Sequence, residues 1–344
     1  MDPTEAGEAA AFAILPEALR VCAEWEFRSY LVGTRAPSTF EGDAADAFRK
    51  SANRTLGNAL GMAWQGARLP EFHRPEAHIF VRPEKGEVEV KACPLIVYGR
   101  YRKFSRALAQ TPYHCPICRG RGCGNCGKTG RMIAGSLSEI LLPVLVEAAG
   151  AEEGIFKGCG REDGDVRMLG TGRPFVAELR RPRRRTLDWA ALTARAAAAS
   201  AGAAEFPVLY PVAIGDGETV PAAHGPKRYL ARVEVEGGVT AADAERIASG
   251  LSGAVLAQRT PDRVSKRRAD LVRERKVLDA AARLLPDGAL ELEVRTEAGA
   301  YIKEMISGDG GRTVPSCTSL LGRPCACTAL DVLDVELLDP PRLM

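Results

Sequence analysis

Histidine is scarce in this chain. Four stand among 344 residues, at 73, 78, 114 and 224, and none pairs with another at a ligand or catalytic spacing. Histidine-centred catalysis is not expected. No H-E-x-x-H occurs, which disfavours a zinc protease, and no H-x-E accompanies a P-C-x-x-C, which disfavours a zinc deaminase. No Gly-rich loop ends in Gly-Lys-Ser/Thr, so an NTPase lacks its phosphate cradle. No G-x-G-x-x-G opens a helix after a strand, so no nucleotide cofactor is expected. The longest apolar run, near Ile140–Val146, is much shorter than a bilayer span and contains Pro143. The opening MDPTEAGEAAAF lacks the basic start of a signal peptide. The expectation is a soluble, cytoplasmic protein with no membrane partner.

Cysteine, by contrast, is abundant. Four of the ten lie in YHCPICRGRGCGNCGKTGR, at Cys115, Cys118, Cys123 and Cys126. C-x2-C-x4-C-x2-C supplies four soft thiolates to one small segment, which suits a closed, structural zinc site. An iron–sulfur cluster and free thiols in a Gly-rich loop are the alternatives. The segment also echoes chaperone zinc modules of the DnaJ type, without their repeated CxxCxGxG units.

Net charge is only +3, but the cations cluster. RRPRRR spans Arg180–Arg185, and Gln258–Lys276 carries eight Lys or Arg against three acids. Such clusters suit a phosphate backbone, although solvated faces carry similar runs.

The chain is long enough for two domains. A helical pattern covers about Asp43–Leu60, AHIFV and EVEVKA alternate around the turn PEKG, and LIVYGR is a buried strand pattern. GSLSEILLPVLVEAAG predicts a helix capped by Ser136 and Glu139, with Pro143 kinking it or marking its true start. Strand patterns follow at GIFKGCG, PFVAEL, FPVLYPVAI, RYLARVEVEG and ALELEVRT, with helical patterns near Asp188–Ser200 and Ala241–Ser252. The expected fold is mixed α/β (α+β): an accessory unit over 1–133 that includes the cysteines, and a second domain with a central antiparallel or mixed sheet over 134–344.

GREDGDVRMLGTGRPF, Gly160–Phe175, crowds three acids among three arginines and four glycines. It could be a cation site, a solvated turn, or a nucleophilic carboxylate held among basic groups that bind a polyanion. The last needs a cation nearby to keep the acid ionised, and a platform for the substrate. Lys303, after Tyr301 and Ile302, and Tyr229, beside Lys227 and Arg228, are the candidates.

GREDGDVRMLGTGRPF, QRTPDRVSKRRAD and AGAYIKEMISGDGGRTVPS together resemble the tenth family of pseudouridine synthases in its archaeal, tRNA-modifying form. FRSYLVGTR, GRYRKFSRALAQTPYHCPIC and GCGNCGKTGR resemble that family's accessory domain and its join to the catalytic domain. G-R-x-D at Gly160–Asp163 is similar to the TruA motif, and A-Y-I-K at Ala300–Lys303 to the T-Y-I-R of TruB. The resemblance implies isomerisation of uridine 55 in the tRNA T loop, with 54 as a further candidate, without a catalytic cofactor. It makes Asp163 the catalytic aspartate, Tyr229 the residue that stacks on the base and helps remove the C5 proton, and Lys303 the cation paired with Asp163. Arg161 would wedge beside the extruded nucleotide. Arg167, Arg183, Arg184, Arg263, Arg267 and Arg268 would join it in holding RNA, an interaction expected to weaken with salt. The accessory unit resembles RNA-binding THUMP modules. Gly164 departs from the family pattern, where a valine is expected, and an N-terminal cysteine pair is reduced to Cys22. The competing reading is a catalytically inactive, zinc-containing tRNA-binding protein.

Overall fold

The computed structural model describes residues 2–263 and 269–343. Its first part is a four-stranded sheet under two helices. The elements are α1 (Pro3–Cys22), β1 (Ser29–Thr34), α2 (Gly42–Ala63), β2 (Leu69–Pro70), β3 (Ala77–Arg82) and β4 (Glu87–Ala92), with sheet order β2-β1-β3-β4. The AHIFV–EVEVKA hairpin forms as expected, with Ile79 opposite Val90. One face of each helix closes this layer around Ile14, Ala18, Leu56, Leu60, Tyr30 and Ile79. Helix α1 carries no obvious signature in the sequence. Its alanines and central Pro16 blur the apolar stripe that tertiary packing nevertheless uses.

The chain then enters a ten-stranded sheet. Its elements are β5 (Leu95–Lys103), β6 (Leu108–Ala109) and β7 (Gly135–Ser136), which form a small separate pair, then α3 (Leu137–Ala149), β8 (Glu153–Gly158), β9 (Arg167–Arg180), α4 (Trp189–Ala199), β10 (Ala204–Val212) and α5 (Asp216–Ala222). There follow β11 (Lys227–Val235), α6 (Ala241–Leu251), β12 (Val255–Arg259), β13 (Val272–Leu284), β14 (Leu290–Thr296), α7 (Ile302–Ser307), β15 (Thr313–Val314), α8 (Cys317–Leu321) and β16 (Cys325–Val335). The large sheet runs β10-β5-β9-β16-β11-β14-β13-β12-β15, with β8 on β9. The sheets change over between Ala92 and Leu95, so LIVYGR lies in the large sheet and not with the first unit. Helix α3 starts at Leu137, capped by Ser136, and runs through Pro143.

All pairings in the large sheet are antiparallel except that of β9 with β16, where Arg167 faces Asp331 and Met168 faces Val332. That parallel seam lies in the middle of the sheet, and the acidic motif leads into it. Among the described residues no helix is long and apolar enough to cross a membrane.

Candidate active site

Between β8 and β9 the chain leaves the sheet. A tight turn, closed by Val166 N donating to the Asp163 carbonyl at 3.1 Å, presents the acids of REDGD in different directions. Glu162 points into the protein. Its side chain and that of Arg173 are each only 2% exposed, and they meet at 2.7 Å. The Tyr101 hydroxyl lies 2.9 Å from both Glu162 oxygens and accepts from Gln110 Nε2 at 2.9 Å. Gln110 also donates to the Gly160 carbonyl, and Arg173 to the Cys159 carbonyl, each at 3.0 Å. A buried charge pair survives only with partners of this quality.

Two cations pin the rest of the turn. Lys103, fully buried, donates to the carbonyls of Gly164 at 2.8 Å and Leu108 at 2.9 Å. Burial pushes its ammonium below the ordinary lysine range, while the nearby Glu162 charge works against that fall. Arg106 donates to the carbonyls of Asp165 at 3.0 Å and Leu330 at 2.7 Å, and to Asp331 at 2.6 Å. Gly164 is explained by packing. A Cβ there would meet Ile133 Cδ1 at 2.0 Å, so Ile133 occupies the space a side chain would need.

Asp163 and Asp165 both reach solvent, with side chains 42% and 64% exposed, but Asp163 meets two cationic side chains, Arg263 and Lys303, where Asp165 pairs with Lys303. Arg263 Nη1 donates to its two oxygens at 3.2 and 2.9 Å. Lys303 Nζ is 3.4 Å from it but only 2.9 and 2.7 Å from the Asp165 oxygens. Lys303 thus spans both acids, and Arg263, expected to face RNA, makes the closer contact with Asp163. Burial pushes the Asp165 carboxyl up, but the hydrogen bond and charge of Lys303 outweigh it and hold it below the usual aspartate range. Arg263 is fixed from behind by the buried Glu304, which accepts from its Nε at 2.6 Å. Burial alone would lower its guanidinium; Glu304 and Asp163 reverse that and keep it charged.

The QRT residues build the platform under this arrangement. Gln258 is fully buried and grips the Tyr301 backbone twice, donating to its carbonyl and accepting from its N–H, each at 2.9 Å. That contact fixes the entry to α7, and with it Lys303 and Glu304.

Tyr229 arrives by register. It faces Val332 across β11–β16, and Val332 faces Met168 across β16–β9. Residues directly opposite share a sheet face, so Tyr229 stands two strands, about 10 Å, from the strand that the motif leads into. Burial pushes its phenol up to about 12, with the Arg173 charge opposing and Glu162 adding. A phenol so placed is protonated at neutral pH.

Several arginines expected to hold RNA are otherwise engaged. Arg167 makes two contacts with the buried Asp331, at 2.9 and 2.5 Å. Arg183 pairs with Glu24 at 3.1 Å and lies 3.8 Å over the Trp25 ring. Arg184 donates to the carbonyls of Ala148 and Glu147 at the end of α3, where helix carbonyls lack internal partners. The RRPRRR run therefore joins the first unit and α3 to the large sheet. Arg161 is exposed, 5.7 Å over the Tyr113 ring. Arg267 and Arg268 lie outside the described residues. A cleft of about 510 Å³, lined by Glu26, Arg74, Arg185, Trp189 and Tyr210, lies between the two sheets and away from Asp163.

The four cysteines converge. Their sulfurs all lie within 4.8 Å of one another, with 3.8 Å between 115 and 123, 118 and 126, and 123 and 126. Four ligands about 2.3 Å from a tetrahedral zinc have edges of about 3.8 Å, so the spacing fits that ion. Backbone N–H groups of Gly122, Cys123 and Gly130 donate to the Cys118 or Cys126 sulfurs at 3.2 Å, which suits thiolate ligands.

Charge pattern alone singled out none of Glu162, Arg173, Lys103, Arg106, Gln110, Gln258, Glu304 or Asp331 for this site. The first two stand inside the acidic motif. The available signal for the others was polar residues within apolar strands, or between them, where an unpartnered group is costly.

The chain is similar to known proteins over most of its length. A family model described as "Pus10, C-terminal" matches residues 96–336. A protein named tRNA pseudouridine synthase Pus10 from Methanothrix thermoacetophila is 41% identical over 85% of this chain and 64% of its own length. Proteins of the same name from Halorubrum lacusprofundi and Korarchaeum cryptofilum are 38% and 42% identical, over 92% and 78% of this chain and 78% and 72% of theirs. The chain thus spans under two thirds of one of these relatives and more of the others. Among solved structures, a chain of a Cbf5–Nop10–Gar1 complex is similar at TM-score 0.36 and 15% identity, covering 69% of this chain and 47% of that one. The matched region contains the whole acidic motif, the cysteines and the strands that carry them. The chain belongs to the Pus10 family.

Proposed function

We propose that this protein is a tRNA pseudouridine synthase acting on the T loop, at uridine 55 with 54 as alternative or additional target, in the cytoplasm. One observation carries the reading: of the three clustered acids, Asp163 alone is both accessible and held by two cations. Glu162 is consumed by Arg173, and Asp165 takes the closer contacts of Lys303. The relatives' printed names supply the substrate class.

In the proposed reaction the target nucleotide leaves its stack, and Asp163 either attacks C1′ or removes a ribose proton. Both routes require the ionised carboxylate that Arg263 and Lys303 favour. The N1–C1′ bond breaks, the uracil turns, C5 bonds to C1′, and the C5 proton is lost while N1 regains one. Atoms and electrons balance without a cofactor. Tyr229 supplies the face on which the base stacks, replacing about 1–3 kcal/mol of lost stacking. Its phenol, raised by burial, is protonated in the free enzyme, so a part in removing the C5 proton would require it first to give up its own. The expected accessory, RNA-binding part covers 1–133 with the cysteines; the first sheet ends at Ala92, so we take the elements up to there as the accessory part and the large sheet with its helices as the catalytic part.

Arg263 orients Asp163, so Arg263→Gln is expected to lower kcat by about 100-fold with a smaller change in KM. Arg263→Lys should restore only part, because a point charge cannot serve Asp163 and Glu304 together as the fork does. Single-turnover pseudouridine formation on an unmodified transcript measures both; wild-type turnover in the Gln variant would remove Arg263 from the site.

Zinc bound by Cys115, Cys118, Cys123 and Cys126 would hold together a segment with little core of its own. Cys118→Ser is expected to lower the zinc content and the thermal midpoint more than the turnover of the folded fraction. Full zinc and an unchanged midpoint would contradict a four-cysteine site.

A further inference from the structure

We propose that the cysteine knuckle, residues 113–133, is a docking surface for the phosphates of the RNA strand that leads into the Asp163 site. The proposal rests on the reading of Asp163 as the catalyst of an RNA modification and adds a binding surface to it.

The knuckle stands on the catalytic turn. Its first residue, Tyr113, lies under Arg161, two positions before Asp163. Its last, Ile133, fills the space over Gly164, one position after. Met132 N donates to the Tyr113 carbonyl at 2.9 Å, and His114 bridges Arg131, so the two ends close into one base. The four sulfurs gather the intervening chain above that base. Whatever binds Asp163 therefore passes beside the knuckle.

Its charge has one sign. Residues 113–133 hold Arg119, Arg121, Lys128 and Arg131 and not one Asp or Glu. Arg131 is neutralised by Glu139 at 2.6 Å. Arg121 turns its Nε to the Cys118 carbonyl at 3.2 Å, which leaves the rest of its guanidinium outward. Arg119 and Lys128 are exposed and form no ion pair among the described residues. Both adopt left-handed backbone, φ 52° and 64°, where glycine would be less strained. Ile117, 66% exposed on the same knuckle, offers an apolar surface for a ribose or a splayed base. The contrast with RRPRRR is informative: that run is richer in arginine, but its side chains are spent on Glu24, helix carbonyls and neighbouring strands. Unspent cations without nearby acids, next to a reactive carboxylate, fit a phosphate backbone.

The test is the double variant Arg119→Gln, Lys128→Gln, with an unmodified tRNA transcript and, separately, its isolated T-arm hairpin. Both substitutions lie at exposed positions, and unchanged zinc content and thermal midpoint check the fold. Kd for either RNA is expected to rise about ten-fold, and the slope of log K against log salt to become shallower by about 1.5–2. The loss should appear in KM rather than in kcat. An unchanged Kd and slope would overturn the docking surface. So would an effect on full tRNA that is absent with the hairpin, because contact would then lie away from the target strand. If the wild type forms no pseudouridine while the variant still shifts the slope, the catalytic reading fails and the RNA surface stands.

Discussion

Asp163→Asn is expected to abolish pseudouridine formation, by at least about 10³-fold in single-turnover rate, while leaving the fold intact. Asparagine can neither attack a sugar carbon nor take a ribose proton, so the proposed step has no substitute. The fold should tolerate the change because neither cation is stranded: Arg263 keeps Glu304 and Lys303 keeps Asp165. Pairs this exposed contribute at most about 1 kcal/mol each, so the thermal midpoint should hardly move. Transcript binding should also survive, since Asp163 repels phosphates rather than attracting them. A variant that binds tRNA, melts like the wild type and still makes pseudouridine would exclude Asp163 as the catalyst.

Glu162→Gln, one residue earlier, should do the opposite to stability. It leaves Arg173 charged, buried and without its carboxylate, and removing one partner of such a pair costs about 3–5 kcal/mol. Tyr101 would lose its acceptor charge as well. The midpoint of urea unfolding should fall by the amount this predicts, and activity should fall with it, because the same network fixes Cys159 and Gly160 at the foot of the turn. The double variant Glu162→Gln, Arg173→Met should recover part of the loss, since it no longer buries a lone charge. A single-variant loss below about 1 kcal/mol would mean that the pair does not hold the loop.

On the proposed reading the two neighbouring carboxylates have opposite duties, and only their surroundings distinguish them. From the sequence, REDGD offered three similar acids, and the motif's resemblance singled out Asp163 without a geometric reason. The structure separates their surroundings: Glu162 is buried against Arg173, Asp165 takes the closer contacts of Lys303, and Asp163 lies between Arg263 and Lys303, which supports the proposed role of Asp163. Arg263 was legible as a cation but not as Asp163's partner, because charge pattern does not say whether an arginine faces phosphate or an acid one hundred residues away. The same limit applied to RRPRRR, which looks like a nucleic-acid patch and serves as a joint. Elements with clear periodicity were legible: α2, α3, the β3–β4 hairpin, β10, β11 and β14. The central strand β16, CACTALDVLDV, was not, although it forms the parallel seam beside the site. Its threonine, aspartates and cysteines interrupt the apolar signal, and the register that carries Tyr229 toward the motif is a long-range property.

The most direct measurement is a map of pseudouridines, by carbodiimide modification and primer extension, in an unmodified tRNA transcript incubated with the purified protein. The account predicts a stop at T-loop uridine 55, with or without one at 54, that disappears with Asp163→Asn. A transcript bound by the protein but free of pseudouridine would contradict the account and leave a tRNA-binding protein in its place.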